Sequence, residues 1–207
     1  MTATSAVDQG SFAASVRAAA TGDGRAFERL VGPLIPRLDG YLRAQVQDAA
    51  DDLRSDVLLA AHSGLPRFSG SEAQFRSWVF TIAHHRIVDH RRRQRPTESL
   101  DGVDGASTGF GSDPEADALA AERAEELRAI LDRLPAAQRE VLLLRTVADL
   151  SIEQTAEAVG RSAGAVKLLQ HRAVRSLRKI FEAIPPDGVT RNPPEGITGN
   201  PPEGVTR

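Results

Sequence analysis

Apolar residues recur at intervals of three and four along most of this chain, the period of helices with one buried face. Phe27, Leu30, Val31, Leu34, Leu38, Tyr41 and Leu42 form the first stripe, and Pro33 and Pro36 interrupt it. That predicts two short helices or one kinked helix. Leu53, Val57, Leu58 and Ala61 predict the next helix. Asp51 and Asp52 suit its N-terminal turn, and Gly64 and Pro66 end it. After the loop LPRFSGS, Ser71 and Gln74 have capping-box spacing. Phe75, Trp78, Val79, Ile82 and Ala83 then carry a stripe that runs towards Pro96. Trp78, the one tryptophan, lies on that stripe and reads as core rather than as a stacking platform.

A second helical group follows. Leu127, Ile130, Leu131 and Leu134 share a face, and AAQREVLLLRTVADL continues after Pro135. Ser151 and Gln154 form another capping box, Gly160 is a C-terminal stop, and Ser162 caps a last helix lined by Val166, Leu169, Ala173, Leu177 and Ile180. Neither group carries a strand signal. Residues 97–118 are rich in Gly, Ser and Asp with few large apolar side chains, the composition of a linker. The expected fold is therefore all-α: two small helical domains, 11–95 and 121–183, joined by a flexible acidic linker, 96–120. Residues 1–10 are expected to be disordered. Residues 184–207 repeat an eight-residue unit, PPDGVTRN, PPEGITGN, PPEGVTR, expected to be an extended tail. A short peptide ligand is the alternative reading of that tail.

Composition narrows the chemistry. The chain has no cysteine, which excludes disulfides, thiolate metal sites and cysteine nucleophiles. The start, MTATSAVDQGSFAAS, lacks the basic and apolar stretches of a signal peptide, and no apolar run approaches membrane-spanning length. A cytoplasmic protein is expected. The net charge of -2 hides strong asymmetry. Five arginines fall between Arg86 and Arg95 against Asp89 alone, and no acid lies between Arg161 and Phe181. Nine acids lie between Glu98 and Glu126. Two cationic surfaces flanking an acidic stretch point to nucleic acid.

The sharpest cluster is AHHRIVDHRRRQRP, residues 83–96, at a helix C-terminus. One or two cations there would complement the helix dipole, and five arginines exceed that need. His85 and Asp89 could share a helix face around a metal, yet no third ligand has a matching spacing and the arginines repel a cation. No metal and no cofactor is expected.

The stretch SIEQTAEAVGRSAGAVKLLQHRAV has the build of a helix-turn-helix. Ala156 is small where two helices cross, Gly160 permits the turn, and Ile152, Val159 and Val166 form a local core. The second helix presents Arg161, Ser162, Lys167, Gln170, His171 and Arg172, groups that reach phosphates and base edges in a major groove. An ordinary helical hairpin is the bland alternative, and the acid-free charge argues against it.

From about Arg25 to Phe181 the chain resembles an extracytoplasmic-function sigma factor of the sigma-70 family. Four pieces stand in order: AFERLVGPLIPRLDGYL, DDLRSDVLLAA, FRSWVFTIAHHRIVDHRRR and LPAAQREVLLLRTVADLSIEQTAEAVGRSAGAVKLLQHRA. The resemblance implies a non-catalytic subunit that binds core RNA polymerase, at the β′ clamp and the β flap, and directs initiation at promoter DNA. It implies polymerase contact through Asp52, Leu53, Ser55, Asp56 and Leu59. It implies minus-ten recognition and melting by Arg67, Phe68, Ser69, Gln74, Arg76, His84, His85, Arg86, Asp89, Arg91, Arg92 and Arg93. It implies minus-thirty-five recognition by Arg161, Ser162, Ala163, Gly164, Lys167, Gln170, His171, Arg172 and Arg175. An anti-sigma factor is a further implied partner; a membrane or small-molecule substrate is not. The sequence departs from the family at Ser55 and Asp56, where Gln and Glu are usual, and at His85, where Asn is common. Leu168, Leu169 and Gln170 also stand in place of a frequent S-R-L. Two other readings compete. A stand-alone dimeric helix-turn-helix regulator leaves the first domain unexplained. A hydrolase using His84 or His85 lacks a nucleophile, phosphate loop or carboxylate pair.

Overall fold

A computed structural model describes the backbone of residues 3–94 and 114–183 and the side chains of residues 10–94 and 123–183. Every regular element among them is helical. The first helix, α1 (Ala3–Ala20), runs through residues expected to be disordered. Its alanine-rich sequence has the highest intrinsic helix propensity, and Phe12 and Val16 pack on the core. Helices α2 (Gly24–Val31) and α3 (Ile35–Arg43) are the two short helices predicted, separated by a 3-10 turn at Gly32–Leu34. Pro33 and Pro36 sit in the first positions of that turn and of α3, where no helical N–H is lost. Asp23 caps α2 by accepting from the Ala26 N–H at 3.1 Å.

Helix α4 (Ala50–Gly64) ends at Gly64, as expected, and a 3-10 turn at Leu65–Arg67 follows. The reason for glycine there is packing: a Cβ would lie 2.7 Å from Trp78 Cζ2. Trp78 stacks on Phe68 at 5.2 Å and is half-buried, as its place on the stripe predicted. Helix α5 (Glu72–Gln94) opens with the Ser71–Gln74 capping box. Gln74 Oε1 accepts from the Ser71 N–H at 2.8 Å, and Ser71 Oγ from the Gln74 N–H at 3.4 Å.

Helix α6 (Pro114–Asp132) begins inside the stretch expected to be linker, with Pro114 at a position that tolerates it. The rest of that stretch and the octapeptide tail lie outside the described residues. Helices α7 (Ala136–Thr146), α8 (Ile152–Ala158) and α9 (Ala163–Glu182) complete the second domain. Val141, Ala156 and Val166 form its small inner core, with Ile152 and Val159 against it, as the spacing predicted. Gly160 takes the left-handed conformation (φ 63°) that the α8–α9 turn requires.

The larger core joins the two domains. Leu38, Tyr41, Phe80 and Ile87 of the first share one apolar cluster with Leu131, Leu144, Leu150 and Ile180 of the second. Linker composition alone gave no sign of this docking.

Candidate nucleic-acid interface

Helix α5 has two faces, and the basic cluster is divided between them. Phe80, Ala83 and Ile87 are buried. The polar members of the same stripe, Arg76, His84 and Arg91, turn the same way. His84 is 7% exposed, with Nδ1 2.7 Å from Glu140 Oε1 on α7. Arg76 donates to the Asp149 carbonyl at 3.2 Å and lies 3.5 Å from its carboxylate. Arg91 donates to the Gln45 carbonyl at 3.1 Å and to its side chain at 2.6 Å. Burial, and then the nearby Arg139 cation, lower the Arg91 pKa from its ordinary value.

The other face of α5 points to solvent. His85, Arg92 and Arg93 are exposed, and Arg86 and Asp89 are half-exposed. Asp89 pairs with Arg92 at 3.3 Å, one turn on. Arg67 and Ser69 are exposed on the loop before α5, and Phe68 is held by Phe75 and Trp78. Gln74 is exposed and committed to the cap.

Asp149 anchors the contact between domains. It adopts φ 53°, a left-handed conformation that Asp tolerates better than most residues. Its carboxylate lies 3.7 Å from Arg37 on α3 as well as near Arg76. Gln154 plays two parts: its Oε1 accepts from the Ser151 N–H, and its Nε2 donates to the Ala73 carbonyl at 3.2 Å. Glu140 and Asp149 were missed in the sequence. An acid in an amphipathic helix or loop gives no local sign of a partner dozens of residues away.

On α9, Arg161, Ser162, Gly164, Lys167, His171, Arg172 and Arg175 are exposed, and Ala163 is half-buried. Ser162 caps the helix by accepting from the Ala165 N–H at 3.2 Å. Gln170 turns inward, its Oε1 accepting from Arg145 Nε at 3.4 Å. The same Arg145 holds the Leu150 carbonyl. This face of α9 is left open by the docking of the two domains.

A third surface lies on α4. Asp52, Ser55, Asp56 and Leu59 are exposed at helical spacing on one side, and Leu59 is 66% exposed. Leu53 does not join them: at 3% exposure it belongs to the core, on the stripe with Val57 and Ala61. Its expected place at the outer face is corrected on that ground. Among the described residues no group of three His, Asp or Glu side chains is placed to hold a metal ion, and no helix is long and apolar enough to cross a membrane.

Comparison with known proteins identifies the family. Residues 30–97 match the family Sigma-70 region 2, and residues 124–177 match Sigma-70, region 4. The chain is 36% identical over 176 residues to the ECF RNA polymerase sigma factor SigD of Mycobacterium tuberculosis, covering 80% of this chain and 81% of that protein. It is 32% identical to the ECF RNA polymerase sigma factor ShbA of Streptomyces griseus, covering 82% and 94%. Among solved structures, the fold resembles CnrH in complex with the cytosolic domain of CnrY, with a TM-score of 0.64 at 24% identity, covering 84% of this chain and 99% of that one. It also resembles the sigma factor RpoE in complex with the anti-sigma factor NepR from Bartonella quintana, with a TM-score of 0.56 at 22% identity, covering 76% and 98%. Both family regions, in order and over most of the chain, sit on the two helical domains that carry the cationic faces; the chain belongs to the extracytoplasmic-function RNA polymerase sigma factors.

Proposed function

We propose that the three surfaces divide the work of a sigma factor. The exposed side of α4, Asp52, Ser55, Asp56 and Leu59, is the anchor for core polymerase. The outer face of α5, with Arg67 and Ser69 on the preceding loop, takes unstacked DNA at the minus-ten element. Positive charge there follows the backbone while the bases leave the stack. The exposed face of α9 enters the major groove at the minus-thirty-five element. The protein acts in the cytoplasm without catalysis of its own, and polymerase performs nucleotidyl transfer. The observation that carries this division is that three separate faces are exposed while the stripes between them are buried.

Domain docking adds a condition. Arg76 and His84, two residues assigned to the minus-ten element, are engaged by Asp149 and Glu140 in this arrangement. They reach DNA only when the domains separate, and the free protein is therefore a weak promoter binder. Holding the domains on polymerase at a set spacing raises the effective concentration of each at its element. An anti-sigma factor, as seen with the fold neighbour RpoE, would act by holding the same surfaces closed. Run-off transcription by this chain with core polymerase, on a pool of randomised promoters, tests the reading. A single enriched pair of elements is expected; transcription from every template alike would count against it.

A further inference from the structure

The recognition helix carries an apolar feature that charge-based reasoning passes over. Leu168 is 49% exposed in the middle of the cationic face of α9. Its side chain leans towards the N-terminus of the helix, as long helical side chains do, and covers the turn before its own Cα. One turn back stands Gly164, exposed and without a side chain. Nothing in the chain demands glycine there: a Cβ at Gly164 would meet only Ser162 Oγ, at 4.0 Å. Gly164 lies in the first turn of α9, where glycine is tolerated better than in a helix interior, and its bare backbone leaves room for a partner outside the protein. Ala165, half-buried, lies beside it. Gly164, Ala165 and Leu168 thus form a bare apolar shelf on the N-terminal part of the helix, bordered by Arg161, Lys167 and Arg172. Gln170, a candidate base reader by sequence, is held by Arg145 and turned from that shelf.

The surrounding charge selects the occupant. A shelf ringed by cations, on a helix with no acid between Arg161 and Phe181, faces a polyanion and not an apolar protein. Within a major groove the apolar feature is the C5-methyl group of thymine. We propose that Leu168 is a specificity-determining residue that reads a thymine methyl in the upstream promoter element, with Gly164 admitting the base edge close to the helix. This rests on the sigma-factor reading of α9.

The test uses the full chain assembled with core polymerase. A preferred upstream element is first selected from randomised duplexes by initiation. Each thymine in it is then replaced, one at a time, by deoxyuridine, which pairs as thymine does and lacks only the methyl. Initiation by the wild-type holoenzyme should fall about fourfold at one position, the worth of a buried methyl. Leu168→Ala should abolish that response there and keep the wild-type response elsewhere. Leu168→Met, which keeps an apolar reach, should restore it, and because the side chain is exposed both variants should melt as the wild type does. A wild-type holoenzyme indifferent to the methyl at every position, a selected element without thymine, or an undiminished response in Leu168→Ala would overturn the proposal while leaving the sigma-factor reading intact. Absence of any promoter-specific initiation by the wild type would overturn both.

Discussion

Leu53 and Leu59 stand six residues apart on α4, and the sequence grouped them together as polymerase contacts. One is buried in the core and the other is 66% exposed. Leu53→Ala should therefore lower stability by about 2–5 kcal/mol, the range for truncating a buried leucine. Leu59→Ala should leave the melting temperature unchanged and weaken capture by core polymerase. Denaturant melts run beside pull-downs separate the two. Gly64→Ala belongs to the same scale, because the added methyl meets Trp78. The indole must move from its stack on Phe68, and overpacking of this kind costs about 1–3 kcal/mol in the same denaturation assay. On α9, Lys167 and Arg172 are exposed with no acid near them in sequence. Replacing either with Ala should weaken binding to all upstream elements alike and flatten the salt slope by about one unit. A shift in sequence preference with an unchanged slope would reassign that residue to base reading.

Helices were legible where local chemistry writes their ends. Both capping boxes stand where Ser-x-x-Gln spacing put them, each with both of its reciprocal hydrogen bonds. Ser151→Ala should cost about 1 kcal/mol and show in a thermal melt as loss of the second domain's stability. The prolines at the α2–α3 turn and the glycine turn before α9 were equally plain. What escaped was local preference without a marker: α1 has no apolar stripe strong enough to announce it, and α6 begins inside a stretch whose composition reads as linker. The basic cluster of α5 was visible as a run, yet a run does not say which face each residue takes. The helical period does, once the buried positions Phe80 and Ile87 are known: it turns His84 and Arg91 inward and leaves His85, Arg92 and Arg93 outside.

At the scale of the whole molecule, the docked domains change what the free protein offers. The apolar cluster that joins them, the His84–Glu140 contact and the Asp149 contacts were invisible in the sequence, because they join residues far apart in the chain. Removing two of the polar contacts, with Glu140→Ala and Asp149→Ala together, should loosen the docking. Amide exchange in α5 would rise while α9 keeps its protection. The central claim is that promoter recognition belongs to the complex with polymerase, anchored through α4. The most direct measurement is promoter-dependent initiation by the chain alone, by core polymerase alone, by the two together, and by core polymerase with the Asp52→Arg, Asp56→Arg double variant. Both aspartates are exposed, so the variant should fold. Specific initiation should appear only when the wild-type chain and polymerase are combined, and the double variant should lose it together with polymerase association. Tight, sequence-specific binding of the free chain to duplex promoter DNA, with no detectable association with polymerase, would contradict the account.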